Sequence, residues 1–356
     1  MLFGTKKIEA FGLDISNVSI KTMQLKKLAG GFFPVAYSDH QIPASLIAQH
    51  IITNEEKLSE HIRRAVSAAK IQTKYVIASI PEAKSFVRIL KMPKMSDQEL
   101  DGAIPWELEQ DIPIPVDQVY LDWQAINDSG NKIDILVTAT PKDYVDVLVS
   151  ALKLAGLKPV ALELESQATA RALVSPEDAK QAVLILDMAS ALTSFIIVEN
   201  GVIQYTSNIP IAGSAFTESI ARNLGISHED GEKIKRDIGL LGESKKGNAR
   251  QAILPLLDTI IDEIKNVVRF HEEHSVTKKL ISKVILCGGT ARLSGITDYI
   301  SARLNLGTSK PVGRVILGNP WINLAPDTAR TPFPVTKEQS LSYVTVAGLA
   351  LRGVNN

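Results

Sequence analysis

Cysteine is almost absent from this chain of 356 residues. Cys287 stands alone, so no internal disulfide can form and a reducing compartment is expected. An excess of either charge is also absent. Thirty-nine Lys and Arg offset 39 Asp and Glu, which excludes nucleic acid as the designed partner and a membrane bound through a generally basic surface. Apolar runs stop short of the ~18 to 20 residues that a membrane span needs. The longest, Gln339 to Leu351, contains Ser340, Ser342 and Thr345. No secretion-signal core develops at the start, where Lys6, Lys7 and Glu9 intervene. What is present is ordinary: hydrophobic residues at 45% and charged residues at 22% describe a globular chain. At roughly 150 residues per domain, the length suits two to three of them. The expectation is a cytosolic protein of several domains.

The first forty or so residues read as strands, with Ile8, Phe11, Leu13 and Ile15 leading into a polar turn and Val18, Ile20 and Leu25 following. Leu58, Ile62, Ala65, Val66 and Ala69 recur at helical spacing over Glu55–Lys70. Strands at Tyr75–Ile80 and Phe86–Leu90 precede a helix around Asp97–Gln110. Val119–Ile126 and Ile133–Ala139 flank the turn at Asp128-Ser129-Gly130-Asn131, and a helix ends near Gly156. A second system of hairpins follows. Val183–Leu186 reaches Asp187, Thr193–Val198 is its partner, and Asn200-Gly201 is a type I′ turn signal before Val202–Tyr205. Helices dominate Ala215–His274. Val284–Cys287 then meets Gly288-Gly289-Thr290, with a helix from Ser294 and an apolar one over Ser340–Leu351. Each half opens with a strand, an aspartate, a polar turn and a strand. That pattern predicts duplicated α/β domains with a ligand cleft between them.

The polar turns hold the candidate chemistry. In DISNVSIK, backbone amides near Ser16, Asn17 and Val18 can wrap phosphate oxygens. Ser16, Asn17 and Ser19 add donors, Lys21 adds a charge, and Asp14 can hold Mg²⁺ through water. DMASALTS repeats the logic, with Asp187 for the metal and Ala189, Ser190 and Thr193 in the phosphate turn. Gly288, Gly289 and Thr290 allow backbone to approach a flat ligand closely. Glu232 and Lys235, spaced i,i+3, can reach a ribose or an adenine edge, or simply form a surface salt bridge. Taken singly, each turn also reads as a plain β-turn; their repetition in both halves favours a polyphosphate clamp.

Several other features lead nowhere. His271 and His274 are i,i+3, not the i,i+4 pair of a zinc helix, and Gly242–Gly247 followed by Asn248 lacks the lysine and hydroxyl of a P-loop. Cys287 has no arranged base and reads as a buried strand residue.

A clamp of this type resembles the actin/Hsp70/hexokinase superfamily. Within it, IPWELEQDIPIPVDQV (Ile104–Val119), LELESQATARAL (Leu162–Leu173), NIPIAGSAFTESIA (Asn208–Ala221) and VAGLALRGV (Val346–Val354) resemble the type IV pilus assembly protein PilM family, which is actin-like and related to the division protein FtsA. The resemblance implies an ATP- and Mg²⁺-binding scaffold with at most slow ATPase activity, serving pilus assembly and twitching motility. It implies subdomain 1A over 1–83 with 158–180 and a C-terminal helix in 323–356. An FtsA-like insertion, 1C, would be 84–157; subdomain 2A would be 181–212 with 278–322, and 2B would be 213–277. The implied partner is the short N-terminal cytoplasmic tail of the inner-membrane protein PilN, bound near the 1A/1C junction, with Trp106, Pro113 and Pro115 as candidate contacts. The membrane would be reached only through partners, and pilus assembly ATPases and self-association are left open.

The sequence departs from that family pattern where glycine is usual, at Ser16 and Ala189. Each added Cβ can crowd phosphate; Ser16 offers a hydroxyl in return and Ala189 offers nothing. Glu165, in the segment linking the halves, is the candidate to orient an attacking water, or else a structural carboxylate in a hinge. Three rival readings stand beside the scaffold. A small-molecule kinase of the superfamily would need a catalytic aspartate that cannot be assigned. An FtsA-like division protein would be expected to carry an amphipathic membrane helix after LALRGVNN. A protein-binding module with a decayed nucleotide cleft would explain Ser16 and Ala189.

Overall fold

The computed structural model describes residues 9–48, 50–128, 130–241, 249–275, 277–305, 313–324 and 335–355. Ile8, Ser129 and the glycine-bounded stretch at 242–248 lie outside them. The chain divides into two compact units. The first comprises Met1–Ala172 with Leu324–Pro326 and Thr345–Asn356; the second comprises Leu173–Asn323 with Asp327–Val344.

The first unit starts with β1 (Phe11–Ile15), β2 (Ser19–Leu28) and β3 (Gly31–Gln41), followed by the short pair β4 (Ile47–Ala48) and β5 (Ile51–Ile52). Helix α1 (Glu55–Ala69) begins where the Asn54 side chain accepts the Lys57 amide, and it ends at Lys70 in the left-handed conformation. Its Leu58, Ile62 and Ala65 have no exposed surface and join Phe11, Leu13 and Ile20 in one core. Each such Leu or Ile contributes about 1.5–3 kcal/mol by leaving water. β6 (Tyr75–Ile80) follows, then a lobe of β7 (Phe86–Pro93), α2 (Asp97–Leu108), β8 (Val119–Asp128) and β9 (Lys132–Pro141), which forms its own three-stranded sheet in the order β7-β9-β8. Ser96 and Glu99 form a capping box on α2. Leu100, Ile104 and Leu108, at i,i+4 spacing, face that sheet, so Trp106 points the other way and is 75% exposed. Pro113 and Pro115 are exposed too, in the loop after buried Ile112. Helix α3 (Lys142–Leu154), β10 (Lys158–Leu164) and α4 (Glu165–Leu173) complete the first run. The five-stranded sheet reads β10-β6-β1-β2-β3.

The second unit repeats this plan. β11 (Ala182–Met188), β12 (Thr193–Glu199) and β13 (Val202–Ile209) precede helices α5 (Gly213–Leu224), α6 (His228–Ile238) and α7 (Ala249–His274). β14 (Ile281–Cys287), α8 (Ile296–Leu304), β15 (Arg314–Leu317) and α9 (Lys337–Ser340) follow, and α10 (Val344–Asn355) closes the chain. The sheet order β13-β12-β11-β14-β15 mirrors that of the first unit. In both, an antiparallel hairpin flanks the opening strand on one side and a parallel strand flanks it on the other.

The last helix starts later than its apolar pattern suggests. A tight turn at Leu341–Tyr343 intervenes, and the Leu341 carbonyl accepts the Gly288 amide at 3.2 Å. Leu341 is packed in the core of the second unit. From Thr345 onward the chain belongs to the first unit, where α10 lies against β1 and α4. A Cβ on Gly348 would stand 1.8 Å from the Ala168 carbonyl oxygen, so only glycine permits that approach. Glu163 of β10 is buried and pairs with Arg171 at 2.5 Å and with Arg352 of α10 at 3.2 Å.

Candidate functional site

The two hairpin turns match residue for residue. Asp14 pairs with Lys21 and Ile15 with Ile20, as Asp187 pairs with Ser194 and Met188 with Thr193. The turn then closes through Ser16 N–H to Ser19 O at 2.9 Å and Ala189 N–H to Leu192 O at 3.0 Å. Ser16 and Ala189 are therefore equivalent positions.

In the first unit, Asp14 Oδ1 accepts the Ser79 hydroxyl at 2.9 Å. Burial pushes the Asp14 carboxyl above its ordinary value, while Lys21 and Ser79 pull it back in part. Lys21 is buried; its Nζ donates to Ser19 Oγ at 2.7 Å and lies 3.8 Å from Asp39. The Ser16 hydroxyl turns inward, accepting the Ser19 amide at 3.1 Å and the Val18 amide at 3.4 Å. Of the amides expected to face phosphate, that of Ser16 is already bonded to Ser19 O and that of Val18 to the Ser16 hydroxyl. Asn17 Oδ1 is buried and has no hydrogen-bond partner, which leaves an acceptor in want of a donor. Val18 is 43% exposed. Glu165 opens α4, and its Oε2 accepts the Glu82 amide at 3.3 Å. The phenol of Tyr144 on α3 is pushed up by burial and by the charges of Glu165 and Asp14, so both carboxylates lie within electrostatic reach of one side chain.

In the second unit, Asp187 is hydrogen-bonded by the Cys287 thiol, which burial and the Asp187 charge hold well above the usual thiol range. Gly288 has φ +84°, and a Cβ there would stand 2.5 Å from Asp187 Oδ1. The protein's own carboxylate requires that glycine. At Gly289, by contrast, an added Cβ meets nothing within 4 Å, so its surface is open to a ligand. Ala189 and Ser190 are exposed. The Ala189 carbonyl accepts Thr290 Oγ1 at 2.7 Å and Gly213 N–H at 3.3 Å. Thr193 is fully buried and donates to the Ile211 carbonyl at 2.6 Å; its hydroxyl is not offered to a ligand.

Lys235 donates to Glu232 at 2.6 Å, to Thr217 Oγ1 at 2.9 Å and to the Gly213 carbonyl at 2.9 Å. Burial disfavours the Glu232 carboxylate, but hydrogen bonds from Lys235 and Thr217 outweigh it and hold the group below its ordinary value. Ala189, Thr290, Glu232 and Lys235 thus meet around Gly213. Gly213 and Thr217 escape a reading by sequence spacing, because the contacts that matter come from α6 and the Gly288 turn. Their only signal is their place in NIPIAGSAFTESIA.

Among the described residues no cluster of three His, Cys, Asp or Glu can hold a metal alone. Asp14 in the first unit and Asp187 in the second each offer hard carboxylate oxygens of the kind that Mg²⁺ takes, directly or through water. No described helix is long and apolar enough to cross a membrane.

Residues 12–354 match the family model described as type IV pilus assembly protein PilM. The chain belongs to the PilM family. A PilM–PilN type IV pilus biogenesis complex contains a chain of the same fold, with a TM-score of 0.84 at 24% identity, over 98% of this chain and 99% of that one. MreB5 of Spiroplasma citri, solved with ADP, superposes with a TM-score of 0.55 at 12% identity, over 97% of this chain and 95% of that one. The architecture is therefore actin-like. The FtsA protein of Pseudomonas aeruginosa is 24% identical over 96% of this chain and 88% of its own length. That of Neisseria meningitidis is 23% identical over 73% of each. These are distant relatives, and the PilM family, as a family of type IV pilus assembly proteins, places the chain in that process.

Proposed function

We propose that this protein is a nucleotide-binding scaffold of the type IV pilus machine that docks the N-terminal cytoplasmic tail of a PilN-type inner-membrane protein. It would then work in the cytoplasm, peripheral to the membrane. What supports this most directly is the lobe of β7, α2, β8 and β9. It presents Trp106, Pro113 and Pro115 to solvent over an independently packed core. Prolines stiffen such a surface, so less ordering entropy is lost when an extended tail docks. A tail with alternating apolar side chains fits pockets while its backbone bonds a strand edge, and β7 and β8 are both edges of their sheet. A synthetic PilN N-terminal peptide should bind at micromolar strength or better, about −8 kcal/mol. No binding by calorimetry, with and without ATP, sinks the reading.

In this reading the two hairpin turns with Gly288-Gly289 serve the phosphates of ATP. Asp14 and Asp187 would hold Mg²⁺ through water, and Glu232 and Lys235 would bond the nucleoside. Mg²⁺ would neutralise phosphate charge, and Glu165 would hold a water. A second reading, a docking module without nucleotide, is favoured by the Ser16 hydroxyl already seated on the Val18 and Ser19 amides. MgATP at ~100 times its dissociation constant would stabilise the native state by about 2.7 kcal/mol. A thermal scan without any shift at millimolar MgATP selects the second reading.

A further inference from the structure

The two site aspartates share a device that the register of the duplicated sheets exposes. β1 and β6 run parallel with Leu13 opposite Ala78, and one step further Ser79 Oγ donates to Asp14 Oδ1 at 2.9 Å. β11 and β14 run parallel with Asp187 opposite Cys287, and the Cys287 thiol bonds the Asp187 carboxylate. On the other flank both aspartates stand one pair before the end of the hairpin ladder. Ser79 and Cys287 therefore occupy the same position of the repeat. One carries an O–H and the other an S–H on a single carbon, and both side chains are buried.

We infer that Ser79 and Cys287 are positioning residues, Ser79 fixing the carboxylate of Asp14 in one unit and Cys287 that of Asp187 in the other, so that each can take Mg²⁺ through water. The inference rests on the Mg-nucleotide reading above. A carboxylate turns easily about its last torsion and has about four lone-pair sites. A donor held by the neighbouring strand stops that rotation and sets which way the carboxylate faces. Partners one step removed from a metal commonly change its affinity by about 10–100-fold. Packing alone does not explain the pair. A buried hydroxyl or thiol can satisfy itself on a backbone carbonyl, as Thr193 does on Ile211, whereas both of these reach a carboxylate.

The test has two arms on the full chain. Cys287 is the only thiol, so its S–H stretch is a single infrared band. It should lie at the low frequency of a hydrogen-bonded thiol and move toward the free-thiol value in Asp187→Asn. A band at the free-thiol position in the unaltered protein overturns the geometry. The second arm is calorimetric titration with ADP across a Mg²⁺ series and in chelator. In Cys287→Ala and Ser79→Ala the Mg²⁺ needed for half its effect should rise about tenfold, with Mg-free affinity little changed. Cys287→Ser and Ser79→Cys should restore it. An unchanged Mg²⁺ requirement, or equal losses with and without Mg²⁺, means a packing role and overturns the inference. If the unaltered chain binds no ADP, the nucleotide reading falls and takes this role with it. If it binds and the variants match it, only the positioning role falls. Should Cys287→Ala fail to fold, the infrared band and Ser79→Ala decide.

Discussion

Replacing Ser16 by glycine should tighten nucleotide binding, although it removes hydrogen bonds. The Ser16 hydroxyl holds the Ser19 amide at 3.1 Å and, more weakly, the Val18 amide at 3.4 Å. A phosphate that takes the Ser19 amide must first break that bond. A neutral hydrogen bond contributes about 0.5–1.5 kcal/mol net, and one to a charged acceptor about 1.5–3. Removing the competitor therefore gains about 1 kcal/mol in binding, or roughly fivefold, since 1.4 kcal/mol is tenfold. The longer Val18 contact adds little. The free protein pays in the opposite direction, with about 0.5–1 kcal/mol of backbone entropy for glycine besides the lost bonds. Melting without ligand should fall while the shift produced by MgATP grows. Ala189→Gly is the control: it removes a methyl and no acceptor, because the Ala189 amide already bonds Leu192 O, and its gain should be smaller. Calorimetry showing Ser16→Gly equal to or weaker than the unaltered protein would refute the argument, and would mean that the hydroxyl itself serves the ligand.

Trp106 is 75% exposed, so Trp106→Ala should open no cavity and shift stability by less than about 0.5 kcal/mol. If it anchors a tail, peptide affinity should fall by about 2 kcal/mol, measured by calorimetry beside a melting curve. Glu163→Ala strands Arg171 and Arg352 without their shared carboxylate; urea unfolding should show a loss of the order of 3 kcal/mol. His40 Nε2 and His61 Nδ1 share a hydrogen bond of 3.0 Å, and burial, His40 and Arg64 lower the His61 pKa against an opposing effect of Glu60. The folded chain thus takes this proton less readily than the unfolded one. The stability held by the pair is complete above the unfolded value of 6.5 and is lost as pH falls below it. The melting temperature should drop less on acidification in His61→Gln than in the unaltered chain, and equal drops would count against the pair.

The regular elements were legible where periodicity and turn chemistry agreed. Glu55–Lys70 reads as a helix from its apolar spacing, and it forms Glu55–Ala69 with Lys70 as its left-handed cap. Asn200-Gly201 reads as a hairpin turn, and both residues have positive φ. The short strands Ile47–Ala48, Ile51–Ile52 and Arg314–Leu317 are too brief to carry a period. The last helix starts later than its apolar pattern suggests because Leu341 is buried in the core of the second unit, where its carbonyl accepts the Gly288 amide and a separate turn forms. In the sequence the candidate site is marked by its aspartates, which stand next to last in their strands before polar turns. Its supports are not. Nothing in Ala78-Ser79-Ile80 marks Ser79 as a donor to Asp14, since that relation exists only once β6 lies beside β1. The inward turn of the Thr193 hydroxyl depends likewise on Ile211.

The packing of α10 on β1 sets an order of events during synthesis. Gly12 of β1 closes against Val346 and Ala350, and Gly353 closes against Ala10. That strand is thus completed by a helix made long after it. Nearly all of the second unit is contiguous, from Leu173 to Asn323, and can acquire most of its core while the first unit still waits. Domains fold as units as they emerge from the ribosome, yet here the earlier one has to remain open until α10 emerges. Asp14 lies on that waiting strand, so its place beside Ser79 is fixed only when the first unit closes.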